Sequence, residues 1–172
     1  MHYTKKEYKK LKIKSYSSFM LGADVGGTNT SIGIFGIKKG MPALIFLFHF
    51  KSMELGNLHG AVNEVLTYTN NQHKIKVSKG CIAGAGAVSP KRDFINIIKL
   101  GWNINKKTLL KNTRLKEIIL INDFEAVGYG INMLSKNDIA VIKKAQKIPK
   151  APIVVIGAGT GLGKTTLIYN GN

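Results

Sequence analysis

The chain is short of cysteine, arginine, acidic side chains and long apolar runs, and each shortage removes a class of protein. Cys81 is the single cysteine, which excludes an internal disulfide framework and a zinc site built on several thiolates. It lies in the apolar run Gly80-Cys81-Ile82-Ala83 and reads as a small core residue. No apolar stretch approaches the roughly 18 residues of a membrane-spanning helix. The longest, Met41 to Phe50, is interrupted by Pro42 and His49 and reads as a buried strand. A reducing cytoplasmic setting fits, with no membrane partner. Asp and Glu number 9 against 26 Lys and Arg, a formal charge of +17. Such a balance invites a nucleic-acid reading. Arg92 and Arg114 are the only arginines, however, and base and phosphate recognition favours the guanidinium fork. The lysines are scattered, so the excess is read as incidental, and nucleic acid is not the expected partner. The positive field still favours anionic small molecules.

What remains is an apolar fraction of 44% in 172 residues, enough for one packed domain and the beginning of another. Residues 1–18 carry Lys5, Lys6, Lys9, Lys10, Lys12 and Lys14 without arginine or an apolar segment. They fit neither a secretory signal nor a mitochondrial presequence and are expected to be a basic, solvated tail. Phe19 to Ala23 and Ile32 to Ile37 flank the turn-forming Gly26-Gly27 and predict a β-hairpin. Ala43 to Phe50 adds a third strand after Gly40-Met41-Pro42. Leu58, Ala61, Val62, Val65 and Leu66 fall at helical spacing behind Asn57, a plausible N-cap. A strand is expected over 81–88, an extended segment over 94–100 and a short helix over 106–112. Further strands are expected over 117–121 and 153–156, with a helix over 124–134 between them. Three strands followed by alternating helices and strands imply an α/β mixed sheet with helices on its faces. The basic stretch 135–150 marks the expected boundary between a first domain, 19–134, and the start of another, 135–172.

Three segments carry chemistry. In Ala23-Asp24-Val25-Gly26-Gly27-Thr28-Asn29, a carboxylate precedes two glycines and a hydroxyl. Paired glycines let backbone N–H groups approach an anion, and Thr28 adds a donor. Asp24 beside phosphates would hold Mg²⁺, through water; alternatively it is a hairpin-turn residue. In Ile121-Asn122-Asp123-Phe124, Asp123 stands between a buried strand and a helix. Such a carboxylate is ionised at neutral pH and can take a proton from a hydroxyl, or it can serve as a helix N-cap. Gly157-Ala158-Gly159-Thr160-Gly161-Leu162-Gly163 reads as a second phosphate cradle or a flexible loop. Gly163-Lys164-Thr165 also nearly completes a P-loop, with Ala158 in place of its first glycine. That alternative requires a helix after Lys164 and an acidic strand beyond it.

Taken in order, Asp-x-Gly-Gly-Thr-Asn, Asn-Asp-Phe and the glycine run resemble the bacterial glucokinase family, from about Leu21 to Leu167. Asn-Asp-Phe followed by Ala126, together with the glycine run, separates the pattern from the related repressor-and-sugar-kinase group, whose cysteine-rich zinc motif a single Cys81 could not supply in this segment. The resemblance implies a ribonuclease H-like mixed sheet of the actin/hexokinase ATPase fold, with the truncated start of a second lobe. It implies glycolytic transfer of the ATP γ-phosphoryl group to the 6-hydroxyl of glucose, with Mg²⁺. It assigns Asp123 as general base, Asn122 and Asp123 to the sugar, and Asp24 to magnesium. Ala23, Asp24, Gly26, Gly27, Thr28, Gly159, Thr160 and Gly161 become nucleotide-binding. A homodimeric longer parent is also implied. The family shows Gly-Pro where this chain has Gly86-Ala87, and its Thr-Asn-x-x-Trp region is here Ile98-Lys99-Leu100-Gly101-Trp102, with Trp102 read as a packing residue. The family's sugar-gripping Glu-x-Gly-Gly-His stretch is not found, so little turnover is expected from the 172-residue chain alone. The other reading is a non-catalytic, degenerate kinase fragment acting as a binding module.

Overall fold

The computed structural model describes residues 2–8, 13–146, 148–158 and 161–171. The chain forms two compact units, residues 1–123 and 124–172. The division falls ahead of the basic stretch 135–150, just after Asp123.

Period-two alternation builds the first unit. β2 (Ser18–Val25) buries Leu21, Ala23 and Val25 and places Asp24 on the opposite side. β3 (Asn29–Lys38) returns antiparallel, with Asp24 opposite Ser31. Lys39 and Gly40, both at positive φ (51° and 76°), form the two-residue turn into β4 (Met41–Lys51). That turn lies earlier than expected, because Met41 and Pro42 already pair with Lys38 and Ile37.

The N-terminus is not simply a solvated tail. β1 (Thr4–Glu7) pairs antiparallel with β4, Thr4 opposite His49 and Glu7 opposite Phe46. All four of its residues are exposed, so the lysines stay hydrated while the backbone closes a sheet edge. Tyr3 packs its ring 5.4 Å from Phe48 and 5.5 Å from Phe50. Tyr68 donates to Glu7 at 3.0 Å and lies under the Lys5 ammonium at 4.2 Å.

α1 (Leu58–His73) buries Leu58, Ala61, Val62, Val65, Leu66 and Thr69. The Asn57 side chain caps it by accepting from the Gly60 N–H at 2.8 Å. Lys74, left-handed at φ 55°, ends it. β5 (Lys79–Gly84) then runs parallel to β2, and β9 (Glu117–Asn122) parallel to β5. The six-stranded sheet has the order β1-β4-β3-β2-β5-β9. Leu21, Ile32, Ile34, Phe46, Phe48, Ile82, Ile118 and Leu120 are fully buried in it.

The strand expected over 81–88 is interrupted. β5 stops at Gly84, and β6 (Ala87–Val88) joins β7 (Phe94–Ile97) and β8 (Trp102–Asn105) in a separate three-stranded sheet. At the break, the Gly86 N–H donates to Gly84 O at 2.8 Å. A Cβ on Gly86 would lie 1.9 Å from the Asn96 carbonyl oxygen. After β7 the chain tightens into a 3-10 turn at 98–100 instead of staying extended. α2 (Lys106–Asn112) follows β8 and is capped by Asn105.

In the second unit, α3 (Asp123–Ile131, its first residue in the first unit) is followed by the hairpin of β10 (Ile153–Ala158) and β11 (Leu162–Leu167). β10 pairs antiparallel with β11, Ile153 opposite Leu167 and Ala158 opposite Leu162. Gly157 pairs with Gly163 across the hairpin, and both lie under the Phe124 ring. A Cβ would come within 2.6 Å of that ring at Gly157 and 1.8 Å at Gly163. Among the described residues of this unit only Gly128 and Val155 are buried.

Candidate active site

Parallel neighbours align their carboxyl ends, and that alignment gathers the first two motifs. Asp24 on β2 is in register with Ala83 on β5, and Ala83 with Ile121 on β9. Asn122 and Asp123 therefore follow at the same end of the sheet, where ligands of open α/β sheets bind. The Ala85 N–H donates to Val25 O at 3.0 Å, extending the ladder into the loops. Asn122 Nδ2 donates to Gly86 O at 3.1 Å, which ties the β9 end to the β5–β6 break.

The two carboxylates are close enough to interact electrostatically. Partial burial pushes the Asp24 carboxyl above its ordinary value, and the negative charge of Asp123 raises it further. Asp24 keeps an open side to solvent, so its desolvation is incomplete.

The loop after β2 is braced from below. The Gly26 N–H donates to Asn29 O at 3.0 Å and closes the turn. Ser52, fully buried, donates from Oγ to Gly26 O at 2.7 Å, and its N–H donates to Thr28 O at 3.0 Å. Thr30 Oγ1 and Ser52 Oγ share a hydrogen bond of 2.9 Å. Gly26 thus shapes the loop with its own amide. Ala23 is buried, with its side chain in the core.

Above the loop, Lys99 Nζ donates to Thr28 Oγ1 at 3.1 Å. Sequence reasoning passed over both Ser52 and Lys99. A single serine after a strand carries no signal, and Lys99 was one lysine among many.

The third motif lies in the second unit. Gly161 is exposed between β10 and β11, whereas Gly159 and Thr160 lie outside the described residues. Lys164 sits within β11 opposite Ile156. A strand stands where the P-loop alternative requires a helix, and that alternative fails.

The family profile for glucokinase matches residues 21–172. The chain belongs to the glucokinase family. A glucokinase from Nostoc sp. is 34% identical over 156 residues, covering 90% of this chain and 44% of that protein. This family member thus spans less than half the length of that curated relative. Among solved structures, a glucokinase from an Antarctic psychrotroph superposes with TM-score 0.75 at 27% identity, over 90% of this chain and 47% of that one. Glucokinase from Balamuthia mandrillaris, solved in complex with glucose, superposes with TM-score 0.69 at 22% identity, over 88% of this chain and 44% of that one. The fold is therefore the mixed sheet of the actin/hexokinase-like sugar kinases, as the resemblance implied.

Proposed function

We propose that this chain carries the catalytic carboxylates of an ATP-dependent glucokinase. In this reading Asp123 accepts the proton of the glucose 6-hydroxyl as that oxygen attacks the γ-phosphorus of ATP. The bond to the departing ADP oxygen breaks, and the proton rests on the Asp123 carboxylate. Asn122, steadied by Gly86 O, hydrogen-bonds the sugar. Gly27 and Thr28 donate to the phosphates, Gly26 holds the loop's shape, and Ala23 positions Asp24 from within the ladder. Gly159, Thr160 and Gly161 would form the second phosphate loop, in the segment 135–172 read as the start of the second lobe. The reading extends to a cytoplasmic, homodimeric longer protein; among the described residues no helix is long and apolar enough to cross a membrane.

The observation that carries the proposal is the placement of Asp24 and Asp123 at the same end of the sheet by the parallel register of β2, β5 and β9, close enough for one charge to raise the other's pKa. Two adjacent carboxylates suit Mg²⁺, which is held by one or two carboxylates together with phosphate oxygens and water. Among the described residues no group of three or more His, Cys, Asp or Glu forms a metal cage. Asp24 would hold the ion, which neutralises phosphate charge when bound.

The test is nuclear magnetic resonance titration of the chain with MgATP and with glucose, alongside a coupled assay for glucose 6-phosphate. MgATP is expected to shift Gly27 and Thr28, and glucose Asn122 and Asp123. Turnover by the chain is expected to be small and to fall by about 10²–10⁴ in Asp123→Ala. Turnover that survives that substitution would sink the role of Asp123.

A further inference from the structure

We propose that Lys99 is a phosphate-contacting residue of the first loop, supplying a fixed positive charge that acts before any metal arrives. The proposal rests on reading the loop as a phosphate site and adds a residue to it.

Lys99 reaches the loop from a different part of the chain. Its ammonium donates to Thr28 Oγ1 at 3.1 Å, and its stem lies along Gly27. A Cβ at Gly27 would stand 2.4 Å from Lys99 Cδ and 3.0 Å from its Cβ and Cγ. The missing side chain at Gly27 is therefore the seat of the lysine stem. The turn that presents Lys99 is anchored on both sides. Ile97 before it is fully buried, and Gly101 after it, at φ 63°, donates its N–H to Ile98 O at 3.0 Å. The turn thus presents the exposed Lys99 side chain over Gly27 and Thr28.

Charge supplies the reason for a cation there. A polyphosphate approaching this edge meets Asp24 and Asp123, two carboxylates that already repel each other. An ammonium has three donors. Thr28 takes one, which leaves two for phosphate oxygens as short, charge-assisted bonds. Lys99 and a metal held by Asp24 would then offset the phosphate charge separately. Affinity measured without metal isolates the lysine.

The experiment is calorimetric titration of the whole chain with inorganic triphosphate, in EDTA and again in Mg²⁺, for the wild type, Lys99→Met, Lys99→Arg and Asp24→Asn. Methionine keeps an apolar stem in the seat and removes the charge together with the exposed bond to Thr28 Oγ1. Metal-free binding is expected to weaken about tenfold or more in Lys99→Met and to recover in Lys99→Arg. Asp24→Asn should lose the Mg²⁺-dependent increment while retaining metal-free binding. The unfolding midpoints of the two Lys99 variants should match the wild type, which a merely structural role would not predict. Equal metal-free binding by the wild type and Lys99→Met overturns the role of Lys99 and leaves the phosphate loop standing. No triphosphate binding by the wild type in either condition overturns both.

Discussion

Replacing Gly86 by alanine puts a methyl group where a hydrogen stood, at the worst place in the first unit. The new Cβ would lie 1.9 Å from Asn96 O, 2.8 Å from Asn96 C and 3.3 Å from Ile97 N. Every one of those atoms is backbone, so no rotamer change relieves the contact. Either β7 moves away from β6, where Asn96 pairs with Ala87, or residues 84–87 shift and carry Gly86 O away from Asn122 Nδ2. Overpacking of this kind costs about 1–3 kcal/mol, and a backbone obstacle argues for the upper end. Losing the Asn122 bond adds roughly 0.5–1.5 kcal/mol. At about 2–4 °C per kcal/mol for a chain of this size, the melting temperature should fall by roughly 5–15 °C. Trp102 is the only tryptophan and pairs with Ile97 in the same small sheet, so its fluorescence reports the region directly. Gly56→Ala is the control: a Cβ there meets nothing within 4 Å, and its midpoint should stay within about 0.5 kcal/mol or rise slightly. Equal midpoints for Gly86→Ala and Gly56→Ala would refute the steric argument.

Asp24 should make the fold less stable as pH rises. Its folded pKa is raised, so the stability contributed by its proton is fully present below the ordinary carboxylate value and lost as pH rises through the raised one. The difference in urea midpoint between wild type and Asp24→Asn, followed from acid to neutrality, should therefore grow in favour of the variant; a flat difference would remove the desolvation argument. Deleting residues 2–8 uncovers the β4 edge and strips Tyr3 from Phe48 and Phe50. A loss of about 1–2 kcal/mol and concentration-dependent self-association are expected by denaturation and light scattering. Lys5→Ala alone should cost under about 1 kcal/mol. A truncated chain as stable and monomeric as the full one would restore the solvated tail.

The parts of the fold that were legible in the sequence are those whose burial is set locally. β2 and β4 show as apolar runs bounded by turn-forming residues, α1 shows Leu58, Ala61, Val62, Val65 and Leu66 at helical spacing, and Asn57 announces the cap. The parts that were not legible depend on partners distant in sequence. Thr4–Glu7 is a strand because β4 offers free backbone groups, and nothing in Thr-Lys-Lys-Glu announces that. The break after Gly84 sets Gly86 against the backbone of Asn96, and the Lys99 stem lies where a Cβ on Gly27 would stand, contacts that no local pattern announces. Asp24, Asn122 and Asp123 were legible as chemistry from their residue types and order. Their convergence follows from the parallel register of β2, β5 and β9, which no single motif contains.

The glycine run shows how one sequence signal can have two physical causes. Phosphate cradles and tight packing both demand glycine, and letters alone do not separate them. Packing accounts for the ends of this run. Gly157 and Gly163 face each other across the hairpin, and the ring of Phe124 occupies the space a Cβ would need at either position. Phe124 is also the third residue of Asn-Asp-Phe, so that position has a packing reason of its own within the second unit. The P-loop pattern would have placed its structural glycine at 158, where this chain has alanine, and a helix where β11 runs. Sterics therefore assigns the outer glycines to Phe124 and leaves Gly161, with no atom within 4 Å of its Cβ position, as the described glycine free to face a ligand. Substituting Gly163 should unseat Phe124 and destabilise the hairpin, whereas substituting Gly161 should leave the hairpin intact.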